Sequence, residues 1–387
     1  MDNPKPSIPL VTVLMTVYNG AEYLNAAVQS IINQTFEDFE FLIINDCSTD
    51  DSTKIIESFN DKRIVIYDNE KNIGQTKSLN IGLKLAKCKY IARIDADDVA
   101  LPKWLEILVR YIKEHPEYAA VSPSVIIIDG VDKRKKIRRV PAGFHEIIFQ
   151  IFYNSPMNHV SVLMNKDLIL EHGGYDETFK ITQDYELWSS LVRNSYSITN
   201  IPDVLMSCRV HSNSTGFVEA DRKALKEKSE TIFRNINAFT NLKLAYEDTV
   251  GICKLFYHTH DMNQEEFELA ETNFVDIYSN MKERFKLPSK FVNNEVKAIM
   301  SKPYCKLAIS RIQNNKIKDA RGITLKYCSK YGFRKMPFLI FMTTFAGLGI
   351  CSKLPFVYGK WLEIVTIIFL WFKSFIPKFK VNVKRIM

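Results

Sequence analysis

The first 100 residues alternate short apolar segments with segments of helical periodicity. Four segments are rich in β-branched and large apolar residues and stop at polar residues, namely residues 10–16, 39–44, 64–67 and 90–94. Between them, apolar side chains recur at helical spacing, over residues 21–32, 52–59 and 75–86. This alternation predicts an α/β fold with a mainly parallel central sheet and helices on both faces.

Polar residues stand where three of these predicted strands end. Asn19 and Asp46 follow the first and second strands, and Asp95, Asp97 and Asp98 follow the fourth. Ligands of open parallel sheets bind beyond the carboxyl ends of the strands. We therefore expect these side chains to share one site.

Asp95, Asp97 and Asp98 put three carboxylates within four residues. Charges of one sign at this spacing repel one another unless a cation lies among them. Hard oxygen ligands suit Mg²⁺ or Mn²⁺, which keep coordination positions open for phosphate oxygens. The cluster therefore predicts a divalent-cation site. The alternative is a solvated loop that caps the helix opening at Pro102.

The rest of the chain divides into parts of different composition. A helix is predicted from Pro102 to Glu114, and residues 119–128 and 133–139 predict a strand pair with an exposed basic connection. Residues 221–331 are rich in lysine and glutamate and have helical periodicity. A length of 387 residues exceeds what one core usually organises. We expect an α/β domain over residues 8–215, a helical appendage over 216–335 and a separate segment over 336–387.

The last of these segments is both apolar and basic. Residues 336–352 carry no charge, and residues 361–372 are apolar apart from Glu363. From residue 353 onward the chain has seven lysines and arginines, and Glu363 is the one acidic residue. Both apolar runs are shorter than the ~20 residues of a spanning helix. Two interpretations stay open: helices packed on the folded domain, or an interfacial anchor on an anionic membrane. The basic residues 133–139 are either a solvated connection or a second lipid contact.

Composition narrows the setting further. The net charge of +8 is concentrated in the apolar tail, which favours a membrane surface over nucleic acid, so no nucleic-acid partner is predicted. The seven cysteines lie far apart without a C-x-x-C pair, which predicts reduced thiols and no zinc knuckle. The first residues lack the apolar stretch of a secretory signal. We expect a cytoplasmic location, at the inner face of the cell membrane if the tail binds lipid.

Six blocks, in order, resemble the inverting nucleotide-sugar glycosyltransferases of family 2, whose fold is called GT-A. The blocks are VTVLMTVYNG (11–20), SIINQTFEDFEFLIINDCSTDDS (30–52), NIGQTKSLNIGLKLAKCKYIARIDADD (72–98), HVSVLMNKDLILEHGGYDETF (159–179), TQDYELWSSL (182–191) and CRVHSNS (208–214). The resemblance implies metal-dependent, inverting transfer of a sugar from a nucleoside-diphosphate donor, with a UDP-sugar favoured, to a hydroxyl of a carbohydrate or lipid-linked acceptor. Surface polysaccharide or glycolipid assembly is the common setting of such chains.

On the donor side, the resemblance implies that the nucleotide is bound by residues at strand ends and in the loop after the third strand: Thr16, Tyr18, Asn19, Asp46, Asn72 and Gly74. Asp46 would turn toward a uracil ring, beside Cys47 at a position more often glycine. Asp95 would address the ribose, and Asp97 would bind the metal. Arg93 shares a strand face with Asp95, where it either neutralises the diphosphate or holds Asp95 in a salt bridge.

On the acceptor side, Asp184 matches the family's catalytic base. A single displacement needs one carboxylate to take the proton of the attacking hydroxyl. Family members usually carry Glu-Asp where this chain has Gln183 and Asp184, so the aspartate is kept. The resemblance also implies residues at the diphosphate, metal or acceptor: Arg209, His211, Trp188 and Asp176. The structural alternatives are a helix-dipole carboxylate for Asp184 and a core position for Trp188.

Other nucleotide-dependent classes fit the sequence less well. The chain has no phosphate-loop motif, no dinucleotide fingerprint in a βαβ unit and no G-x-S-x-G elbow. A nucleotidyltransferase usually carries a Gly/Arg/Lys-rich loop after its first strand, where this chain has Tyr18, Asn19 and Gly20. A catalytically silent subunit that binds sugar nucleotides, or serves as a scaffold, is the alternative from a different class.

Overall fold

The computed structural model of the chain describes residues 8–211, 222–314 and 316–332. The described residues form two compact units that divide between Val250 and Gly251. The first unit contains a large sheet with its helices, and the second is helical. The segment predicted over 336–387, with its two alternative interpretations, lies outside the described residues.

The described part of the first unit is built on one nine-stranded sheet. Its strands are β1 (Val11–Val17), β2 (Phe39–Asn45), β3 (Ile64–Asp68), β4 (Tyr90–Asp95), β5 (Val99–Ala100), β6 (Tyr118–Asp129), β7 (Arg134–Arg138), β8 (Leu163–Asn165) and β9 (Ser197–Val210). Its helices are α1 (Ala21–Ile32), α2 (Ser52–Glu57), α3 (Gln75–Leu85), α4 (Trp104–Glu114), α5 (Phe144–Gln150), α6 (Lys166–Glu171), α7 (Gln183–Arg193) and α8 (Arg222–Phe239).

Strands β3, β2, β1 and β4 lie side by side and all run parallel. Every residue of β1 is buried, because this central strand is covered by side chains on both faces. The strands and helices predicted for the first 100 residues are confirmed, with ends that differ by at most two residues. The predicted α/β class and its parallel sheet centre are therefore correct.

The other half of the sheet is mixed. β8 pairs antiparallel with both β4 and β6, β6 runs parallel to β9, and the two-residue β5 pairs antiparallel with β9. The predicted strand pair is present as β6 and β7, with Ile126 opposite Ile137. β8 has only three residues, which is too short for a periodic pattern to indicate. These pairings bring the end of β9 beside the turn that follows β4.

The core of the first unit lies between the sheet and its helices. Its members share full burial and apolar character, as in Val13, Met15, Leu24, Val28, Trp104 and Leu108. On α3, Gly82 packs against Leu14 of β1 so closely that an added Cβ would overlap the leucine side chain. Glycine at this position therefore sets the distance between helix and strand.

The described part of the second unit is helical. Helix α9 (Tyr246–Tyr257) crosses the division between the units, and α10 (Gln264–Arg284), α11 (Ser289–Gln313) and α12 (Ile317–Tyr331) follow. Among the described residues, no helix combines the length and the apolar character needed to cross a bilayer. The six cysteines among the described residues are free thiols.

Candidate functional site

The acidic cluster lies at the end of β4 and in the turn before β5. Asp95, Asp97 and Asp98 each offer a carboxylate oxygen, and these atoms lie within 4.8 Å of one another. One oxygen of Asp98 accepts a hydrogen bond of 2.7 Å from the backbone N–H of Arg209. Its other oxygen is buried without a hydrogen-bond partner among the described residues. His211 Nε2 lies 3.0 Å from Asp97 Oδ2.

Burial and mutual repulsion set the electrostatics of this cluster. Burial, and then the charge of Asp95, raise the pKa of the Asp97 carboxyl, while His211 acts in the opposite direction. Burial, followed by repulsion from Asp97 and Asp95, raises the pKa of Asp98 well above its usual value. Crowded carboxylates with a spare buried oxygen and a nearby imidazole fit a divalent cation such as Mn²⁺ or Mg²⁺.

Arg93 is 1% exposed and lies behind the cluster. Its guanidinium pairs with both oxygens of Asp95, with Nη1 at 2.8 Å from Oδ2 and Nη2 hydrogen-bonded to Oδ1. The salt bridge, one of the two alternatives drawn from the sequence for Arg93, is present. Asp95 is therefore held in one orientation by a fork of two parallel hydrogen bonds.

Asp46 organises the loop after β3. Its buried carboxylate accepts hydrogen bonds from Asn69 Nδ2 at 2.8 Å, from the N–H of Ile73 at 2.9 Å and from the N–H of Gly74 at 2.8 Å. The same loop carries the exposed Asn72, and Gly74 has a φ of 88°, which favours glycine. The predicted nucleotide-binding residues of β2 and of this loop thus form one connected unit.

The turn after β1 lies beside the loop that follows β2. Tyr18 is 52% exposed and its ring is open to solvent, while Thr16 is buried. Asn19 has a φ of 51°, and its side-chain oxygen accepts a 2.8 Å hydrogen bond from the N–H of Thr49. Cys47 has a φ of 63°, a left-handed backbone conformation that glycine adopts more readily than other residues.

Asp184 is the second residue of α7 and is half-buried. Its Oδ2 accepts a 3.1 Å hydrogen bond from Ser155 Oγ. Burial raises the pKa of the Asp184 carboxyl, and the hydrogen bond from Ser155 and the charge of Arg93 partly oppose that shift. A carboxylate whose proton affinity is increased in this way is suited to accepting a proton.

The turn leading into α7 is held by a different carboxylate. Glu227 of α8 accepts hydrogen bonds from the backbone N–H groups of Lys180 at 2.9 Å, Ile181 at 3.0 Å and Thr182 at 2.8 Å. Glu227 could not be recognised from the sequence, because it lies in no motif and 45 residues from the nearest of these partners. Glu227 therefore binds three successive backbone N–H groups of the turn immediately before Asp184.

Two glutamine side chains connect the acidic cluster to α7. Gln75, the first residue of α3, lies with Nε2 at 3.2 Å from Asp95 Oδ1. Gln183, the first residue of α7, donates from Nε2 to Gln75 Oε1 at 3.0 Å. The strand-end acids and the helix that carries Asp184 therefore meet in one site.

Arg209 joins the acidic turn to the hairpin formed by β6 and β7. It is buried, and its Nε donates to the backbone oxygen of Asp97 at 3.0 Å. Its Nη1 lies 2.7 Å from a carboxylate oxygen of Asp132, and its guanidinium lies over the ring of Tyr23. Arg209 therefore connects the acidic turn with the hairpin. His211, two residues further along, packs against the same tyrosine ring, that of Tyr23.

Trp188 and Asp176, both predicted for the acceptor side, contact other side chains around α7. Trp188 is fully buried and packs against His159, which matches the core alternative. Asp176 accepts hydrogen bonds from the backbone and hydroxyl of Thr178 and pairs with Arg234 at 3.1 Å. Both residues therefore help to support the loop and helix that carry Asp184.

Comparison with known proteins identifies the family. A family model described as glycosyl transferase family 2 matches residues 12–173. A protein of Haemophilus influenzae described as an uncharacterized glycosyltransferase is 32% identical over 270 residues, which cover 66% of this chain and 83% of the relative. The chain belongs to glycosyltransferase family 2. The resemblance seen in the sequence is thereby confirmed, and the chain is a glycosyltransferase.

Two further likenesses agree with this assignment. The O-antigen biosynthesis glycosyltransferase WbnJ of Escherichia coli is 31% identical over 218 residues, covering 54% of this chain and 82% of WbnJ. The crystal structure of S. aureus TarS 1-349 in complex with UDP-GlcNAc matches 87% of this chain and 92% of its own, with a TM-score of 0.50 and 16% identity. At that identity, the structural likeness bears on the fold alone, which is the predicted GT-A type.

Proposed function

We propose that this glycosyltransferase acts by a metal-dependent, inverting displacement. It transfers a sugar from a nucleoside-diphosphate donor, with a UDP-sugar favoured, to an acceptor hydroxyl. The observation that carries the proposal is that Asp95, one of three clustered strand-end carboxylates, is hydrogen-bonded to Gln75 and through it to Gln183, the chain neighbour of Asp184. An acidic cluster suited to a cation and a separate carboxylate suited to a proton are the two groups that such a displacement needs.

The nucleotide of the donor is proposed to bind at the carboxyl ends of β1, β2 and β4. Tyr18 offers an exposed ring on which a base can pack. The loop that contains Asn72 and Gly74 lies beside the base, kept in shape by Asp46. Asp95, oriented by Arg93, takes a ribose hydroxyl.

The divalent cation is proposed to bind at Asp97, with Asp98 and His211 beside it. The spare buried oxygen of Asp98 and the raised pKa values of both aspartates support this placement. When bound, Mn²⁺ or Mg²⁺ offsets the charge that develops on the departing diphosphate. Arg209 stabilises the turn between β4 and β5 by donating a hydrogen bond to the backbone oxygen of Asp97.

Asp184 is the proposed catalytic base. It takes the proton from the acceptor hydroxyl while that oxygen attacks the sugar carbon. Ser155 donates to one of its oxygens and so orients the other. The acceptor is proposed to be a carbohydrate or lipid-linked glycan in surface polysaccharide or glycolipid assembly, as supported by the O-antigen role in the name of WbnJ.

A panel of UDP-, dTDP- and GDP-sugars tests the proposal. Purified protein with Mn²⁺ or Mg²⁺ is expected to release nucleoside diphosphate from one of them, and chelation should abolish release. Asp97→Ala should lose metal-dependent nucleotide binding, whereas Asp184→Asn should bind the donor normally and lose transfer. Asp167→Asn, on the exposed face of α6, is the matched control and should behave as wild type. Full transfer by Asp184→Asn would remove this residue as the base, and a fully silent panel would favour a binding or scaffold subunit.

We also propose peripheral contact with an anionic membrane at the cytoplasmic face. Lys133, Lys136, Arg138 and Arg139 are exposed on the hairpin of β6 and β7, next to the site. Basic side chains near an anionic surface each contribute about 1 kcal/mol of attraction. Residues 336–387 support the proposal through their composition. Co-sedimentation with anionic vesicles should fall when residues 336–387 are deleted and 133–139 are neutralised. Undiminished binding of that variant would refute the contact.

A further inference from the structure

Two hydrogen bonds, from Gln75 to Asp95 and from Gln183 to Gln75, form a series in which each donor is determined by the next acceptor. An ionised carboxylate can only accept, so Gln75 must turn its amide NH₂ toward Asp95. The carbonyl oxygen of Gln75 then faces Gln183, which must donate its own NH₂ in return. The chain of contacts runs from the buried Arg93 through Asp95 and Gln75 to the first residue of α7. Each amide orientation follows from the charge of Asp95.

Helix α3 reinforces this connection along its length. Thr76 Oγ1 donates to the backbone oxygen of Phe179 at 2.9 Å. Asn80 exchanges two hydrogen bonds of 2.9 Å with the backbone of Tyr175. Both partners belong to the loop that leads into α7, so α3 holds that loop at several points. Gln75 is the point where this helix also touches the acidic cluster.

We propose that Gln75 and Gln183 are positioning residues that set the distance between Asp95 and Asp184. Gln75 is in contact with Asp95, and Gln183 is the chain neighbour of Asp184, so the pair joins the nucleotide side to the base side. This inference rests on the proposed function, in which those two acids bind the donor and accept the proton. Misplacing reacting groups by about 1 Å costs roughly 100-fold in rate.

The chemistry of the pair explains why position 183 is an amide here. Gln183 is 4% exposed, and its own Oε1 has no hydrogen-bond partner among the described residues. A glutamate in its place would bury a second charge and would present only acceptors to the Gln75 oxygen. Gln75 would then have to reverse its amide and turn an oxygen toward Asp95. Glutamine at 75 and glutamine at 183 are therefore matched to each other.

A double-mutant cycle tests the coupling directly. Methionine keeps the length of glutamine without its hydrogen bonds, so the variants are Gln75→Met, Gln183→Met and the double substitution. Each single variant is expected to lower kcat for transfer by about tenfold or more, with nucleotide binding changed less than about threefold. Because the two residues act through one contact, the double variant should resemble the single ones. Gln34→Met removes an equally buried glutamine outside the site and should leave kcat unchanged.

A second test replaces the two neutral amides by a pair of opposite charges. Gln183→Glu should lose more transfer activity than Gln183→Met, because it places an unpaired carboxylate against the Gln75 oxygen. Adding Gln75→Lys supplies an ammonium group that can donate to both Asp95 and the new carboxylate. The double variant should therefore have a kcat about tenfold or more above that of Gln183→Glu alone. Because the added lysine would also repair a loss of stability caused by an unpaired buried carboxylate, rates are compared at a temperature at which thermal unfolding shows both variants to be folded.

The outcomes separate this inference from the proposed function. Losses that multiply in the double methionine variant, or no rescue by lysine, would overturn the positioning role even if Asp184→Asn is inactive. Full transfer by Asp184→Asn would instead remove the base, while a non-additive cycle would still link Gln75 to Gln183. Thermal unfolding of every variant, with Gln34→Met as reference, shows whether a loss of rate reflects loss of fold.

Discussion

Replacing Glu227 by alanine removes the carboxylate that holds the turn before α7. Three backbone N–H groups and the hydroxyl of Thr182 lose their acceptor. Thr182 is buried, so its N–H loses a charged hydrogen bond without replacement by water, at a cost of about 1–3 kcal/mol. Lys180 is exposed and Ile181 half-buried, and water replaces their partner at about 0.5 kcal/mol each. Together these contributions give an expected loss of about 2–4 kcal/mol.

Hydrogen exchange reads the affected backbone directly. The N–H groups of residues 180–182 should exchange faster in Glu227→Ala, while the amides of β1 should keep their protection. Transfer kcat should fall with little change in nucleotide binding, because the same turn positions Asp184. Glu227→Gln retains one acceptor oxygen and should lose about half as much stability.

Glu230→Ala is the matched control on the same helix. Glu230 forms a half-exposed ion pair with Arg234, and such pairs contribute at most about 1 kcal/mol. Unchanged exchange of residues 180–182 in Glu227→Ala would refute the capping role. A loss of stability in Glu230→Ala as large as in Glu227→Ala would show that general charge on α8 matters, rather than the three hydrogen bonds.

Three further outcomes follow from packing and protonation. Gly82→Ala should lower the free energy of unfolding by about 1–2 kcal/mol in urea, since overlap with buried Leu14 outweighs the helix-propensity gain of about 1 kcal/mol; a net gain would contradict the packing. Burial holds the pKa of His159 well below its usual value, so the unfolded chain takes up a proton below about pH 6.5 that the folded chain does not. Relative to His159→Gln, wild-type stability should fall by about 1.4 kcal/mol per pH unit below that pH, and parallel pH profiles would contradict this. The fall of kcat at acid pH should reflect the raised pKa of Asp184. Ser155→Ala should move this fall to higher pH, because it removes a hydrogen bond that stabilises the ionised form of Asp184. An unchanged pH profile would show that the fall does not report the protonation of Asp184.

The parallel half of the fold was predictable because its signals are local. Apolar runs of a few residues, helical spacing and strand-end polar residues each lie within one short window, whereas the order β3, β2, β1, β4 came from the structure. The same local signals put Asp46 and Asp95 at one edge of the sheet. The mixed half was less predictable, since β5 and β8 have two and three residues.

The roles of individual side chains at the site depend on contacts between distant parts of the chain. Glu227, Arg209 and the pair of Gln75 and Gln183 act on partners 45 to 112 residues away, and no local pattern marks such partners. Burial likewise decided that Trp188 is a core residue, although its helical position allowed either outcome.

The sequence by itself therefore determined the fold class, the family and the strand-end location of the acidic cluster. Those follow from periodicity, turn chemistry and ordered motifs, which are properties of neighbouring residues. Only the tertiary structure decided that Arg93 pairs with Asp95, that Glu227 binds the turn before α7, and that two glutamines connect the acids. Hydrogen-bond partners are chosen by proximity in three dimensions, and that proximity exists only once the sheet and its helices have packed.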